Sequence, residues 1–113
     1  MSKPIGPYTP AVRAGDWIIV SGQLGLKNGA IVAGGVAAQT AQAIANLKAL
    51  LAEHRATLAD VKKTTCFLTD IDTFATFNEA YVKAFGSHRP ARSTVGIAGL
   101  VGTAVVEIEA WAF

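Results

Sequence analysis

Ala104-Val105-Val106-Glu107-Ile108-Glu109-Ala110-Trp111-Ala112-Phe113 ends the chain in an unbroken alternation. Side chains of successive strand residues point to opposite faces, so Val105, Glu107, Glu109, Trp111 and Phe113 share one face. Val106, Ile108, Ala110 and Ala112 share the other, which is wholly apolar. Upstream, Arg92 to Ile97 reads as a second strand, joined to the last by the loop Gly99 to Thr103. A loop that short predicts antiparallel pairing of the two strands, with Arg92 and Glu107 near each other.

Working back, Asp72 can cap a helix in which Phe74, Phe77, Tyr81 and Phe85 form one stripe and Gly86 marks the stop. Val61 to Thr69 is β-branched and aromatic, hence a strand. From about Val36 to His54, Ala37, Thr40, Ile44, Leu47 and Leu51 recur at helical spacing. Gln39, Gln42, Asn46 and Lys48 fall mostly elsewhere on that cylinder. Asn28-Gly29 signals a turn, with a short strand at Ile31-Val32. Ala11 to Ala14, Gly15-Asp16 and Trp17 to Gln23 read as a hairpin, and prolines keep the first ten residues irregular. Strands, helix, strand, helix, strands: the order predicts one α+β domain over residues 1–113, with both helices on one sheet face.

Of the 113 residues, 51% are hydrophobic and 16% charged, against about a quarter charged in an average domain. A chain this small cannot hide so much apolar surface within itself, and no element remains to cover the second sheet face. An oligomer built on that face is the simplest expectation. A net charge of +2 does not imply a nucleic acid or a membrane as partner. The single cysteine, Cys66, excludes an internal disulfide and suits a reducing compartment. Residues 1–9 lack the apolar core of a leader and no run approaches a membrane span, so a cytoplasmic protein is expected.

Arg92 stands at the mouth of the most apolar stretch of the chain. A guanidinium keeps its proton at any ordinary pH, and leaving it unpaired in an apolar setting is costly. Either it ties two strands together through Glu107, or its planar fork is open to a carboxylate from outside, with a glutamate moving protons through a water. The absence of a P-loop argues against a phosphate as that anion. Ser21-Gly22 can offer a hydroxyl and backbone N–H groups to a ligand, or be a bulge. Tyr8 can close over a pocket or anchor the arm, and Asn78, beside Phe77 and Tyr81, can reach a ligand or face water. Cys66 reads as a small buried hydrophobe, and isolated His54 and His88 give no metal site. Lys62-Lys63 and Arg89/Arg92 are too sparse for a nucleic-acid footprint.

Several short stretches occur in a telling order: Ile5-Gly6-Pro7-Tyr8, Val20-Ser21-Gly22-Gln23, and Lys63-Thr64-Thr65-Cys66-Phe67-Leu68-Thr69-Asp70. Asn78-Glu79-Ala80-Tyr81, Pro90-Ala91-Arg92-Ser93 and Glu107-Ile108-Glu109-Ala110 follow. Together they resemble the RidA (YjgF) family of reactive-intermediate deaminases over essentially the whole chain. The resemblance implies a chorismate-mutase-like α+β fold, a mixed sheet with two helices on one face, and a homotrimer with a cleft at each subunit interface. It implies hydrolysis of small-molecule 2-imino acids, or their enamine tautomers, to 2-oxo acids and ammonia without a cofactor. By position, Arg92 would hold the substrate carboxylate and Glu107 would activate the water. Tyr8, Ser21, Gly22 and Asn78 would line the cleft, with the Thr94 backbone adding hydrogen bonds.

Two departures bear on the preferred substrate rather than the reaction. Thr94 stands where many members carry cysteine, and Ala98-Gly99-Leu100-Val101 replaces a common Ala-Arg-Leu-Pro. A trimer that only binds 2-oxo acids is the first alternative; it would be marked by loss of Glu107, which is present. An endoribonuclease or translation inhibitor is the second, and would need an electropositive track that a charge of +2 does not supply.

Overall fold

β7, Val106–Ala112, is the middle strand of a five-stranded sheet. Its apolar face, Val106, Ile108, Ala110 and Ala112, is sealed from solvent, as the alternation requires. The computed structural model describes residues 5–113; part of the Pro-rich arm, and of the stretch read for a leader, lies outside the described residues. The other elements are β1 (Ala11–Ala14), β2 (Trp17–Gln23), β3 (Leu26–Lys27), β4 (Ala30–Ile31) and α1 (Gly35–Glu53). After them come β5 (Val61–Leu68), α2 (Phe74–Phe85) and β6 (Ala91–Gly96). The sheet order is β1-β2-β7-β5-β6, with β3 and β4 forming a separate small hairpin around Asn28-Gly29.

The expected antiparallel pairing of β6 with β7 is not formed. β6 pairs in parallel with β5, while β7 lies on the other side of β5 and pairs antiparallel with it and with β2. The link between β5 and β6 is a helix, and a helical crossover joins parallel neighbours. β6 also carries Arg92 and Thr94 on its helix-facing side, so an edge position leaves the charge at a rim. The sheet is therefore mixed, with two helices on one face of an α+β domain.

Both helices bury their apolar stripes on that face, except that Ala37 of the predicted α1 stripe is exposed and Val36 takes the buried position. Ile44, Leu47 and Leu51 of α1 meet Phe77, Tyr81 and Phe85 of α2 over Val20, Val61, Cys66 and Leu68. Emptying such a position, Leu47→Ala for example, costs about 2–5 kcal/mol in cores of this kind. Phe74, the first of the predicted stripe, is exposed at the helix start. Asp72 does not cap α2. Asp70 does the related work, its carboxylate accepting the Asp72 N–H at 2.9 Å and opening a short 3₁₀ turn ahead of the helix.

Two polar residues of α1 read as facing outward bind the chain instead. Gln39 is buried; its side-chain oxygen accepts the Val105 N–H at 2.8 Å and its amide donates to the Thr103 carbonyl at 3.3 Å. Asn46 donates to the carbonyls of Leu24 and Leu26 at 3.0 and 2.9 Å. Buried polar groups need such partners, and here the partners are the loops that wall the site.

No helix of the described residues covers the second face. Trp17, Trp111 and Phe113 lie there 37%, 44% and 56% exposed, with Trp17 edge-on to Trp111 at 6.4 Å and to Phe113 at 5.0 Å. Val12 and Val95 extend the apolar surface. No helix of the described residues is long and apolar enough to cross a membrane.

Candidate active site

The predicted site residues fall into two groups. Tyr8, Ser21, Gly22 and Glu107 line one cleft of about 830 Å³, together with Glu109 and an apolar wall that includes Ile5, Leu24, Leu100 and Val101. Ser21 and Gly22 sit in a bulge where the pairing of β2 with β7 slips between Val20 and Gln23. The bulge turns the Ser21 hydroxyl toward the N-terminal arm, where it donates to the Thr9 carbonyl at 2.7 Å. That hydrogen bond fixes the segment carrying Tyr8, which stands half-exposed at the cleft.

Gly22 is where Glu107 needs room. A Cβ added there would stand 2.6 Å from the Glu107 carboxyl carbon and 2.8 Å from Oε2. The carboxyl group therefore lies directly over the strand backbone. Burial pushes the Glu107 pKa up, and the like charge of Glu109 pushes it further. Gln39 holds the Val105 N–H and the Thr103 carbonyl, so it sets both the start of β7 and the loop after Leu100 and Val101. Reading Gln39 as outward-facing hid this support, since periodicity alone treats any glutamine as surface.

Arg92, Asn78 and Thr94 form the second group, on the helix side of the sheet. Arg92 pairs in register with Thr64, and Thr94 with Cys66, both buried beneath the helices. The guanidinium carbon lies 5.5, 5.4 and 4.9 Å from the ring centres of Phe74, Phe77 and Tyr81. No carboxylate among the described residues pairs with it. Asn78 Oδ1 and Thr94 Oγ1 are buried without a hydrogen-bond partner among the described residues. Such orphans are uncommon; Thr40 Oγ1 on α1 is a third among the described residues, and Thr94 lies two residues from Arg92 on the same strand face.

Glu107 pairs instead with Phe67, on the face away from the helices. The two groups thus lie on opposite faces of one sheet, and the strand-to-strand ion pair between Arg92 and Glu107 does not exist. Cys66, in register with Thr94, is buried: burial raises its thiol pKa to about 11, which disfavours the nucleophilic thiolate, and its Sγ–H contacts Thr64 Oγ1 at 3.8 Å. No cluster of three or more potential metal ligands occurs among the described residues.

A mixed sheet of this order with two helices on one face defines a class of small α+β domains, and comparison with known proteins gives the family. The family model described as endoribonuclease L-PSP matches residues 1–113, and the chain belongs to that family, the RidA/YjgF family. It is 42% identical over 113 residues to a RutC family protein of Pyrococcus abyssi, covering 98% of this chain and 89% of that one. It is 41% identical over 108 residues to the 2-iminobutanoate/2-iminopropanoate deaminase of Homo sapiens, covering 94% of this chain and 79% of the human one. The crystal structure of RidA from the Antarctic bacterium Psychrobacter superposes with a TM-score of 0.93 at 35% identity, over 98% of this chain and 91% of that one.

Proposed function

We propose that this protein is a cofactor-independent deaminase that hydrolyses 2-imino acids, or their enamine tautomers, to 2-oxo acids and ammonia. The observation that carries the reading is the guanidinium of Arg92, held among three aromatic rings with no carboxylate partner among the described residues. Its fork matches a carboxylate bidentately. The names of relatives such as the human deaminase support the same chemistry.

The mechanism asks little of the protein. An imine carbon is already electrophilic, so orientation, a placed water and a proton acceptor suffice. Arg92 holds the substrate carboxylate. Glu107, seated on Gly22, takes a proton from water as its oxygen attacks the imine carbon. Glu107 hands that proton to the nitrogen, giving a carbinolamine, and then relays the proton of the carbinolamine hydroxyl to the same nitrogen, so that the C–N bond breaks with ammonia leaving as the C=O of the 2-oxo acid forms. A carboxylate whose pKa is raised is better matched to proton transfer near neutrality than an ordinary one.

One chain supplies each half of this site on a different sheet face, so a complete site takes Arg92, Asn78 and Thr94 from one subunit and Tyr8, Ser21, Gly22 and Glu107 from the next. A homotrimer closed over the uncovered aromatic face meets that need and removes the exposed apolar surface. The test is hydrolysis of 2-imino acids generated in place by an amino-acid oxidase, with native protein and Arg92→Ala in parallel. Accelerated decay by the native chain that Arg92→Ala abolishes is expected. No acceleration with any imine in the panel would refute the reading.

A further inference from the structure

We propose that Tyr81, pinned by Thr64, is a positioning residue that sets the Arg92 guanidinium for its ligand. The carboxylate as ligand rests on the functional reading above; the cradle itself rests on geometry alone.

A long arginine side chain has many rotamers, and something must hold it still if its fork is to meet a ligand in one orientation. Proteins commonly use an acidic partner for this, which occupies the N–H donors along the edge of the guanidinium. Here the cation is held by its surroundings of aromatic rings. Phe74, Phe77 and Tyr81 stand at positions one, four and eight of α2, on one side of the helix, and all three rings lie within 5.5 Å of the guanidinium carbon. Rings attract the cation without engaging its edge donors in ion pairs, so the fork stays open to an incoming carboxylate.

Tyr81 is the nearest ring at 4.9 Å and the only one with a polar anchor. Its hydroxyl shares a 2.8 Å hydrogen bond with Thr64 Oγ1, and both residues are buried. Thr64 is the β5 residue in register with Arg92, so the strand neighbour of the arginine fixes the ring that holds it. Phe77 at 5.6 Å and Phe85 at 4.7 Å brace the same ring from either side. Tyr81 is only 3% exposed and its hydroxyl is already engaged, so it acts through Arg92 rather than by touching the ligand.

The test uses Tyr81→Phe, which keeps the ring, Thr64→Val, which keeps the shape, and the double variant. The Nε–Hε resonance of Arg92, identified by its loss in Arg92→Lys, reports the ring stack directly. Calorimetry with 2-oxobutanoate reports carboxylate binding, and imine hydrolysis separates KM from kcat. Each single variant should shift the resonance and raise Kd and KM about 3- to 10-fold, the scale of one buried hydrogen bond, with kcat within about two-fold of native. The double variant should be no worse than either single one, because all three remove the same pin. An unmoved resonance, a stability loss with unchanged KM, or a fall in kcat at constant KM would each overturn the proposal. If the native chain binds no 2-oxo acid, the functional reading fails; the resonance still decides the cradle, and an unmoved one overturns that as well.

Discussion

Arg92 and Glu107 flank the same strand, β5, yet project from opposite faces of the sheet: Arg92 lies against α2 and Glu107 over Gly22. No rotamer change brings two such groups to one small substrate within a single chain. If both are required, they come from different subunits.

That arrangement predicts complementation. Arg92→Ala and Glu107→Gln should each be inactive alone. Co-expressed in equal amounts, they should recover about a quarter of native activity, since random assembly of a ring of three leaves one site in four with both groups intact. Activity no higher than the two variants measured separately would place both groups in one chain's site, or neither.

Gly22 and Gly25 separate site from scaffold. The nearest atoms to a Cβ at Gly22 all belong to the Glu107 side chain, which can swing away, so Gly22→Ala should fold normally and lose about ten-fold or more in turnover. A Cβ at Gly25 meets the Gln39 backbone, with Cα at 2.7 Å and the carbonyl oxygen at 2.9 Å. That contact cannot relax cheaply, so Gly25→Ala should lower the melting temperature. Thermal denaturation and imine hydrolysis on the two variants check the pair; equal effects on stability would contradict it.

The alternation of Val106 to Ala112 and the helical stripes of α1 and α2 were legible because each depends only on local periodicity. Strand order was not. Pairing β6 with β5 rather than β7 is decided by the α2 crossover and by where a charged strand can sit, both tertiary facts. Likewise, alternation places Arg92 and Thr94 on one face without saying which face of the sheet it is. Gln39 and Asn46 were misread for a related reason: their partners are backbone groups of distant loops. The burial of Cys66 was legible, since a free thiol in a β-branched and aromatic strand packs as a small hydrophobe.

Cys66 should be chemically silent. With its pKa raised to about 11 by burial, almost no thiolate exists at pH 8, so alkylation by iodoacetamide should be far slower than for a free thiol. Cys66→Ala should keep turnover within a few-fold and cost about 1–2 kcal/mol of stability through the small cavity it leaves. Complete loss of activity in a folded variant would assign the thiol a role in the reaction.

Glu107 and Glu109 lie on the same strand face and both line the cleft, yet successive same-face positions are roughly 7 Å apart, so only one can serve a given water. Glu107 must be ionised to accept a proton, and burial with the charge of Glu109 raises its pKa. The acidic limb of the pH–rate profile should therefore lie above the ordinary carboxylate range. Glu109→Gln removes the like charge but not the burial, so turnover should stay near native while the limb moves to lower pH. Glu107→Gln should abolish turnover, keep 2-oxo acid binding, and change the stability profile with a definite sign. A carboxyl whose pKa is raised on folding contributes stability that is fully present below its unfolded pKa and lost as pH rises through the folded one. Glu107→Gln should remove that decline, and denaturation across this pH interval measures it. A Glu109→Gln limb that stays put, or moves upward, would mean that the carboxylate controlling the rate is not Glu107.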